Sequence, residues 1–385
     1  MEWNPFSYAV QDNPYPYYGW LRDNAPVYRH PTLGIYALSR FVDVRDAILD
    51  IDRVSSQLRS FAGGGRRFYP QFLFTDPPRS TQLRSVVAKH FTPRASAQLE
   101  PQMRAYAKRY LAPIVEGRGG DIIRDYAAKI PMDIIADLLG IPPADRDRVR
   151  KWSDDYLARD EGNPLPTPAA HEAAEAFAEY FRRARTEREK RPRNDVLGAM
   201  AQTELAGEGK LSDDDYVGNA TMLAIAGNET TTKLIASAVL ELWRHPDQRA
   251  WLAANPDGIP NAVEETLRYE APSQWQNRRA ARDFTLHGVT VPKDAFVALI
   301  TGSACRDPRR YPDPDRFDVR RADVEHLSLG WGQHLCLGKT LARLEAKVAL
   351  QELLAAAPEY EVIEAGLERV YVTNVAGYCR MPIRW

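Results

Sequence analysis

Cysteine is scarce in this sequence of 385 residues, which contains only Cys305, Cys336 and Cys379. A disulfide framework needs several paired cysteines, so three scattered ones exclude it. No two of them form a Cys-x-x-Cys pair, which also excludes an ordinary structural zinc site. Any role for one of these cysteines must therefore come from its local surroundings.

The sequence also lacks an excess of charge and a long apolar run. Its 51 Lys and Arg residues balance 52 Asp and Glu residues, leaving a net charge of -1. This balance gives no strong field to attract nucleic acid or an anionic membrane. Nowhere do about 18 apolar residues follow one another, as a membrane span requires, and the first residues lack the basic and apolar segments of a signal peptide. We expect a cytoplasmic protein with no nucleic-acid and no membrane partner.

The pattern that is present is mainly α-helical with a minor β portion. Apolar residues recur at helical spacing from about 76 to 244 and from 337 to 355. Proline, tyrosine and asparagine in the first 25 residues favour turns and extended backbone, and Gly63-Gly64-Gly65 is interpreted as a loop. Without repeats or a flexible linker, we expect one domain over residues 1–385. Its β-rich parts are predicted at about 26–40, 284–300 and 371–385.

One glycine-rich segment with a single cysteine precedes the last long helix. From His326 to Lys339 it reads HLSLGWGQHLCLGK. Glycine lets the backbone turn tightly and approach a bulky planar ligand. The start of a helix carries free N–H groups and a partial positive charge, which lower the pKa of a thiol. Cys336 is thus predicted to be a thiolate that can ligate iron; the alternative is a small, buried, inert cysteine in a turn.

A long helix predicted over Ser212–Arg244 has poor helix formers at its centre. From Ala226 to Thr232 it reads AGNETTT. An interior glycine costs about 1 kcal/mol relative to alanine, and β-branched residues add to that cost. Such local choices are expected where a functional site overrides folding preference. The alternative is that Glu229 lies at the solvent edge and the threonines bond to helix carbonyls.

The cysteine segment resembles the haem-binding loop of the cytochrome P450 family, which usually reads Phe-Gly-x-Gly-x-His-x-Cys-x-Gly. The resemblance implies haem b as cofactor, O2 as co-substrate and Cys336 as the axial ligand of the iron. Leu329 stands where the family has phenylalanine, which affects the redox potential and packing at the haem edge rather than ligation. The matching residues are Gly330, Gly332, His334, Cys336 and Gly338.

The centre of the long helix resembles the family motif Ala-Gly-x-Asp/Glu-Thr. This implies that Ala226 and Gly227 let oxygen and substrate approach the haem, and that Glu229 and Thr230 relay protons to the oxygen. The fold implied is a triangular helical prism with haem between this helix and the cysteine loop.

Two further groups of residues match the family by order along the chain. Glu265 and Arg268 resemble its Glu-x-x-Arg pair, whose third partner is either Arg316 or Arg321; of these we name Arg316. Arginine suits carboxylate recognition, and Arg84, Arg278 and His334 resemble the residues that hold the haem propionates. Ser80 stands where a histidine is usual, so one propionate contact is expected to be shorter or missing.

Substrate contacts follow from the resemblance alone. They are expected from the segments 58–74, 152–181, 273–276 and 373–376. The polar members suggest a substrate with at least one hydrogen-bonding group, although Gln274 could equally be a structural amide. The candidate residues are Ser273, Gln274, Gln276, Asn374 and Val375.

The resemblance implies a monooxygenase that inserts one oxygen atom of O2 into a largely apolar small molecule, most often as C–H hydroxylation. Because no cysteine cluster suits an iron–sulfur centre, electrons from NAD(P)H are expected through a separate ferredoxin and its reductase. A monomer is expected. A peroxygenase driven by H2O2 and a non-catalytic haem sensor or carrier are the alternatives. The candidate docking residues, equally explained as solvated surface charge, are Lys89, Arg94, Lys339 and Arg343.

Overall fold

The computed structural model describes residues 1–58, 69–205 and 208–385. Within these ranges the chain is mostly α-helical with small β-sheets, which confirms the predicted fold class. The glycine triplet 63–65 and part of the predicted substrate loop 58–74 lie outside the described residues. The α-helices are α1 (Tyr8–Asp12), α2 (Tyr15–Asn24), α3 (Phe41–Leu49), α4 (Arg79–Ala88), α5 (Pro93–Gln98), α6 (Glu100–Glu116), α7 (Lys129–Leu139), α8 (Pro143–Leu157), α9 (Pro168–Lys190), α10 (Val196–Gln202), α11 (Asp213–Arg244), α12 (Pro246–Ala254), α13 (Ile259–Tyr269), α14 (Thr301–Ala304) and α15 (Lys339–Ala356).

The strands form one five-stranded sheet and several smaller ones. They are β1 (Val27–Arg29), β2 (Ile35–Leu38), β3 (Val54–Ser55), β4 (Gly119–Asp121), β5 (Glu204–Leu205), β6 (Gly209–Lys210), β7 (Gln276–Ala280), β8 (Phe284–Leu286), β9 (Val289–Val291), β10 (Phe296–Leu299), β11 (Glu361–Val362), β12 (Glu368–Arg369), β13 (Tyr378–Arg380) and β14 (Pro382–Arg384). The largest sheet has the order β1-β2-β10-β7-β3, in which only the β2–β10 pair is parallel. The β-rich parts predicted from the sequence each contain strands, whereas β7, which carries Arg278, was not predicted.

The first 25 residues differ from the prediction, because they form the two helices α1 and α2 rather than turns and extended backbone. Pro16 lies in the first turn of α2, where backbone N–H groups have no partner within the helix, so proline costs no helical hydrogen bond there. Apolar side chains explain the rest: Trp3, Phe6 and Leu21 are buried in one cluster with Trp275. Tertiary burial therefore overrides the turn-forming composition.

Helix α11 is the central element, and it begins where its cap predicts. The Ser212 hydroxyl accepts a hydrogen bond from the Asp215 N–H at 3.0 Å, and the helix ends at Arg244, two residues before Pro246. Its side chains are buried almost all round, yet Ala226 at its middle is exposed and Thr230 is half-buried. Helix α11 is therefore buried along most of its length and has an accessible patch at its centre.

Helix α15 packs against α11 and α6 within the largest apolar core. Leu329 and Leu337, on either side of Cys336, pack against that same core. The fold therefore brings the cysteine segment to the core that surrounds α11. Among the described residues, none of the helices has the length and apolarity needed to span a bilayer.

Candidate active site

The loop before α15 is shaped by glycines and one short hydrogen bond. The Cys336 N–H donates to the Leu329 carbonyl oxygen at 2.7 Å, which closes the loop. Gly330 has φ +70°, and a Cβ there would stand 3.0 Å from the His334 carbonyl oxygen. Gly332 has φ +61°, and a Cβ there would stand 2.9 Å from Cδ2 of Leu49. The left-handed backbone favours glycine at both positions, and at Gly330 the nearby carbonyl oxygen favours it further.

Gly338 differs from these two glycines. Its φ is -84°, and a Cβ added there would meet no protein atom within 4 Å. Glycine at this position therefore leaves open space beside the cysteine, and its backbone conformation is one that any residue can adopt. That space is what the approach of a bulky ligand requires.

The thiol of Cys336 is held among donors and cations. The Gly338 backbone, Arg84, Arg343 and Lys339 lie close enough to the thiol to lower its pKa. Burial outweighs the lowering by these groups and raises the pKa of the Cys336 thiol above its ordinary value, so the helix start does not by itself make the thiol a thiolate. A metal ion that coordinates a thiol removes its proton outright, and this is what the site needs to hold a thiolate.

The open patch of α11 carries the predicted motif, with one correction. Ala226 and Thr230 form the accessible patch. Gly227 does not open the path for oxygen or substrate, because a Cβ there would lie 2.6 Å from Cγ1 of Ile135. This glycine instead permits the close approach of α7, which contains Ile135.

The hydroxyl and the acid of the motif face different surroundings. Thr230 donates its hydroxyl to the Ala226 carbonyl oxygen at 2.9 Å, so the helix back-bond foreseen for the threonines is present. Glu229 is not at the solvent edge: its side chain is 8% exposed, and its Oε2 lies 3.5 Å from Nζ of Lys233. The Glu229 side chain is thus a buried, paired group one residue from the accessible Thr230.

Two further acids near α11 were missed from the sequence. Asp154 of α8 lies near Glu229, whose charge acts on its carboxyl group. Glu345 of α15 is fully buried near Thr231, and its Oε1 atom is unpaired in the described part of the chain. Burial raises the pKa of Glu345 to about 8. In the sequence, an acid at the helical spacing of the apolar residues of α15 was the signal that could have indicated this buried carboxyl group.

The residues predicted to hold carboxylate groups form a cationic cluster. Arg278 is buried, and its guanidinium donates to the Asn277 carbonyl oxygen at 2.7 Å and to Oε1 of Gln276 at 3.1 Å. Arg84 makes no hydrogen bond through its side chain with any described residue, and Nε2 of His334 is buried without a partner in the same ranges. The charges of Arg278 and Arg84 both lower the pKa of His334, after burial, to about 4. The three side chains therefore lie close together with donors to spare.

The Glu-x-x-Arg pair is present, but its third side chain is Arg321 rather than Arg316. Arg268 is fully buried and donates to both carboxylate oxygens of Glu265 at 2.7 and 2.8 Å. Nε of Arg321 lies 3.2 Å from the same two oxygens. Arg316 contributes only its carbonyl oxygen, while its own side chain is 66% exposed. The choice depends on the path of a proline-rich loop, which sequence spacing does not specify.

Most of the predicted substrate residues bond to the protein itself. Gln274 accepts from the Tyr18 hydroxyl at 3.0 Å and donates to the Ala271 carbonyl oxygen at 2.7 Å, so it is a structural amide. Asn374 donates to Oγ of Ser273 at 3.2 Å and to the Trp275 carbonyl oxygen at 2.9 Å.

The remaining two candidates are also placed by the fold. Gln276 bonds to Arg278, and Val375 is buried opposite Ser273 in a β-bridge. Hydrogen bonds within the protein therefore occupy side-chain groups that we predicted to contact the substrate.

Comparison with known proteins identifies the family. The family model for cytochrome P450 matches residues 259–356. A protein of Mycobacterium bovis named cytochrome P450 123 is 38% identical over 386 residues, which cover 99% of this chain and 96% of the relative. This chain belongs to the cytochrome P450 family. Vitamin D(3) 25-hydroxylase of Pseudonocardia autotrophica is 37% identical, over 98% of this chain and 95% of its own.

Solved P450 structures share the fold over its full extent. CYP109E1 from Bacillus megaterium, in complex with testosterone, superposes with a TM-score of 0.92 at 29% identity, covering 98% of each chain. P450BioI, in complex with an acyl carrier protein bearing hexadec-9Z-enoic acid, gives a TM-score of 0.88 at 28% identity and covers 98% of this chain and 100% of that one. The protein is thus a P450 monooxygenase with the P450 fold.

The cofactor of this family is haem, held through a cysteine thiolate, with O2 as co-substrate. The residues of this structure fit that group. The cationic cluster of Arg84, Arg278 and His334 offers unused donors suited to two propionates, and Cys336 lies beside open space at Gly338. A small-molecule substrate and a redox partner go with this class of enzyme.

Proposed function

We propose that this P450 inserts one oxygen atom of O2 into a C–H bond of a largely apolar small molecule, with Cys336 as the thiolate ligand. The observation that supports this most is the Cys336 loop, in which Gly330 and Gly332 adopt the left-handed backbone that favours glycine while Gly338 leaves open space. Haem, when bound, supplies the iron at which O2 is reduced and activated. The remaining tasks belong to side chains of this chain.

These tasks divide between the two sides of the proposed cofactor. Arg84, Arg278 and His334 would bind the propionates and so fix the orientation of the ring. Thr230, at the open patch of α11, would hold the oxygen by its hydroxyl and pass a proton to it. Glu229 would return the proton to Thr230, since it is the adjacent acid in the motif.

Electrons are proposed to come from NAD(P)H through a separate ferredoxin and its reductase, because three scattered cysteines cannot hold an iron–sulfur cluster. Lys89 and Arg94 are exposed and remain candidates for the docking face. Arg343 is a weaker candidate, since Glu264 binds its guanidinium at 2.6 and 2.7 Å. A single domain, a monomer and a cytoplasmic location stay predictions.

The substrate is proposed to be a sterol-like or similarly sized apolar molecule. The names of two similar proteins, a vitamin D(3) hydroxylase and a P450 crystallised with testosterone, support this class. A strongly polar substrate has less support than the sequence suggested, because Gln274 and the amide of Asn374 bond within the protein.

The test of ligation is the carbon monoxide spectrum of the dithionite-reduced protein. We expect the long-wavelength Soret band of thiolate-ligated haem in the wild type, and its loss in Cys336→Ser. Cys379→Ser is the matched control, since Cys379 contacts only the backbone of β12 through its thiol in the described ranges. A band that survives in Cys336→Ser, or is absent from the wild type, would exclude Cys336 as ligand.

Substrate and reaction are tested by a spin-state screen followed by turnover. Vitamin D3, testosterone, terpenoids, polyketides and small aromatics would be added to the ferric protein, and those that shift its spectrum incubated with NAD(P)H, ferredoxin and reductase. Hydroxylated product supports the proposal. Turnover that is far faster with H2O2 favours a peroxygenase, and carbon monoxide binding without any spin shift or oxidation favours a sensor or carrier.

A further inference from the structure

A Glu–Arg ion pair lies beside the segment that carries Cys336. Glu264 of α13 accepts two hydrogen bonds from the Arg343 guanidinium of α15, at 2.6 and 2.7 Å. Oε2 of Glu264 also lies 3.3 Å from Nε2 of His326. His326 precedes Cys336 in the glycine-rich segment, and Arg343 follows it in α15. One carboxylate therefore contacts both ends of the cysteine segment.

The imidazole of His326 is oriented by its own segment. Its side chain is 3% exposed, and its Nδ1 accepts the Ser328 N–H at 3.2 Å. In the neutral imidazole the proton is then on Nε2. Nε2 has no aligned hydrogen-bond partner among the described residues, so the Glu264 carboxylate at 3.3 Å is the acid that it faces. The Ser328 hydroxyl donates to the Leu267 carbonyl oxygen, which attaches the segment to α13 a second time.

Hydrogen bonds connect the start of the segment to the cysteine. The Leu327 carbonyl oxygen accepts the Gly330 N–H at 2.8 Å. The Leu329 carbonyl oxygen accepts the Cys336 N–H at 2.7 Å. A displacement at the start of the segment therefore moves the backbone of Cys336.

The other end of the segment continues directly into α15. The Gly338 carbonyl oxygen accepts the Ala342 N–H at 2.9 Å, and Arg343 is the next residue. Arg343 lies about two helical turns after Cys336, and helical side chains lean toward the N-terminus, so its guanidinium extends back toward the cysteine. Consistent with this direction, burial raises the pKa of the Cys336 thiol and the charge of Arg343 is among those that oppose the rise.

The exposure of the pair indicates a local role rather than a large contribution to stability. The side chains of Arg343 and Glu264 are 38% and 24% exposed, and an ion pair that water reaches contributes little to the free energy of unfolding. Burial raises the pKa of Glu264, but Arg343 and His326 outweigh it and lower the pKa to about 2. Glu264 is therefore an anion at neutral pH, and it offsets the charge of Arg343.

We propose that Glu264 is a positioning residue that holds both ends of the cysteine segment, through His326 and Arg343, and so fixes Cys336 for ligation. Its negative charge also limits the positive field that Arg343 exerts on the cofactor side. The adjacent acid, Glu265, belongs to the Glu-x-x-Arg pair, so neighbouring acids of α13 hold two different segments. The inference rests on the proposed role of Cys336 as the thiolate ligand.

Hydrogen–deuterium exchange of the haem-loaded ferric protein tests the holding role. In Glu264→Ala we expect the amides of residues 326–338 to exchange about tenfold faster, because local opening of the segment is easier. Glu352→Ala is the matched control, since Glu352 of α15 accepts from the Arg104 guanidinium of α6 at 2.8 Å. Its loss should leave exchange in 326–338 unchanged. Unchanged exchange in Glu264→Ala, or equal acceleration in both variants, would overturn the proposal.

The reduction potential tests the charge of the pair without removing its shape. Glu264→Gln should raise the potential, because the uncompensated Arg343 cation favours the added electron, and Arg343→Gln should lower it, because a positive charge is lost. We expect each shift to correspond to about threefold in the equilibrium constant for the first electron. A purely structural defect would move both potentials in the same direction, which would refute the charge role.

The carbon monoxide spectrum separates this inference from the proposed function. In reduced Glu264→Ala, the long-wavelength band of thiolate-ligated haem should be lost about tenfold faster than in the wild type or Glu352→Ala. Equal rates of loss would refute the role in fixing Cys336. If the wild type itself lacks this band, the proposed ligation fails, whereas faster exchange in Glu264→Ala would still show that Glu264 holds the segment.

Discussion

Two clusters of buried charge in this P450 are built on opposite principles. The scaffold cluster consists of Glu265, Arg268 and Arg321. The relay cluster consists of Glu229 and Lys233, both buried on α11, with the more accessible Asp154 of α8 near them. In the first, two cations surround one acid and their further donors bind carbonyl oxygens. In the second, two acids lie near one buried ammonium group.

The hydrogen bonds of Arg268 show how complete the scaffold cluster is. Besides Glu265, its guanidinium donates to the carbonyl oxygens of Cys305 at 3.0 Å, Pro314 at 2.8 Å and Arg316 at 3.2 Å. Arg321 similarly donates to the carbonyl oxygen of Pro312 at 2.8 Å. A buried charge with all donors satisfied has one stable protonation state. The relay cluster is less completely hydrogen-bonded. A group that must give up a proton requires such an environment, in which its pKa can be shifted.

The largest effect in this comparison is expected from breaking the scaffold cluster. Arg268→Ala leaves Glu265 buried with fewer partners, which costs about 3–5 kcal/mol when one member of a buried pair is removed. We expect little haem-loaded protein and a large fall in the urea midpoint. Arg316→Ala is the control, since its side chain is exposed. If Arg316→Ala were as harmful as Arg268→Ala, the assignment of Arg321 as the third side chain would be wrong.

Removing the hydroxyl at the open patch is expected to spare the fold and disturb the chemistry. Thr230→Ala should lower product formed per NAD(P)H by about tenfold, with peroxide released instead, because proton delivery is lost while electron transfer continues. Thr232→Ala is matched, since Thr232 makes the same back-bond at 2.9 Å but is buried away from the patch. Product and peroxide are measured together, and unaltered coupling in Thr230→Ala would argue against the relay.

Much of the scaffold could be predicted from the sequence, because its determinants are local. The cap at Ser212 and the i, i+3 pair of Glu265 and Arg268 depend on neighbours within a few residues, and the structure contains both. Position 321 could not be chosen over 316, because that choice depends on how a loop folds back on α13. Local spacing carries no such information.

The relay cluster shows the limit more clearly. Glu229 was recognised by its motif, but Asp154 lies 75 positions earlier in α8 and meets it only through helix packing. Gln274 was placed at the substrate although its amide is occupied by Tyr18 and Ala271. A polar residue in sequence offers hydrogen bonds without showing whether protein or ligand will use them.

A further buried acid, Glu345, extends the comparison to the pH dependence of stability. Its raised pKa of about 8 means that the folded protein holds a proton which the unfolded chain releases above about pH 4.3. Stability from this group is therefore lost as pH rises toward 8, by up to about 1.4 kcal/mol per pH unit. In Glu345→Gln, the fall in Tm of the haem-loaded protein from pH 6 to pH 8 should be smaller. Glu359→Gln, at an exposed position, should keep the wild-type fall; equal falls in all three proteins would contradict a protonated Glu345.

The smallest effect is expected where charge is exposed rather than buried. Lys89 and Arg94 are both exposed near α4 and α5, so a Lys89→Glu, Arg94→Glu variant should weaken attraction to an acidic ferredoxin without changing the fold. We expect the first electron transfer to slow about threefold at low salt, and the difference to shrink at high salt as the charges are screened. Lys190→Glu, exposed at the end of α9, is the control, and stopped-flow reduction measures the rate. Equal slowing by Lys190→Glu would mean that net charge, rather than this face, sets the rate.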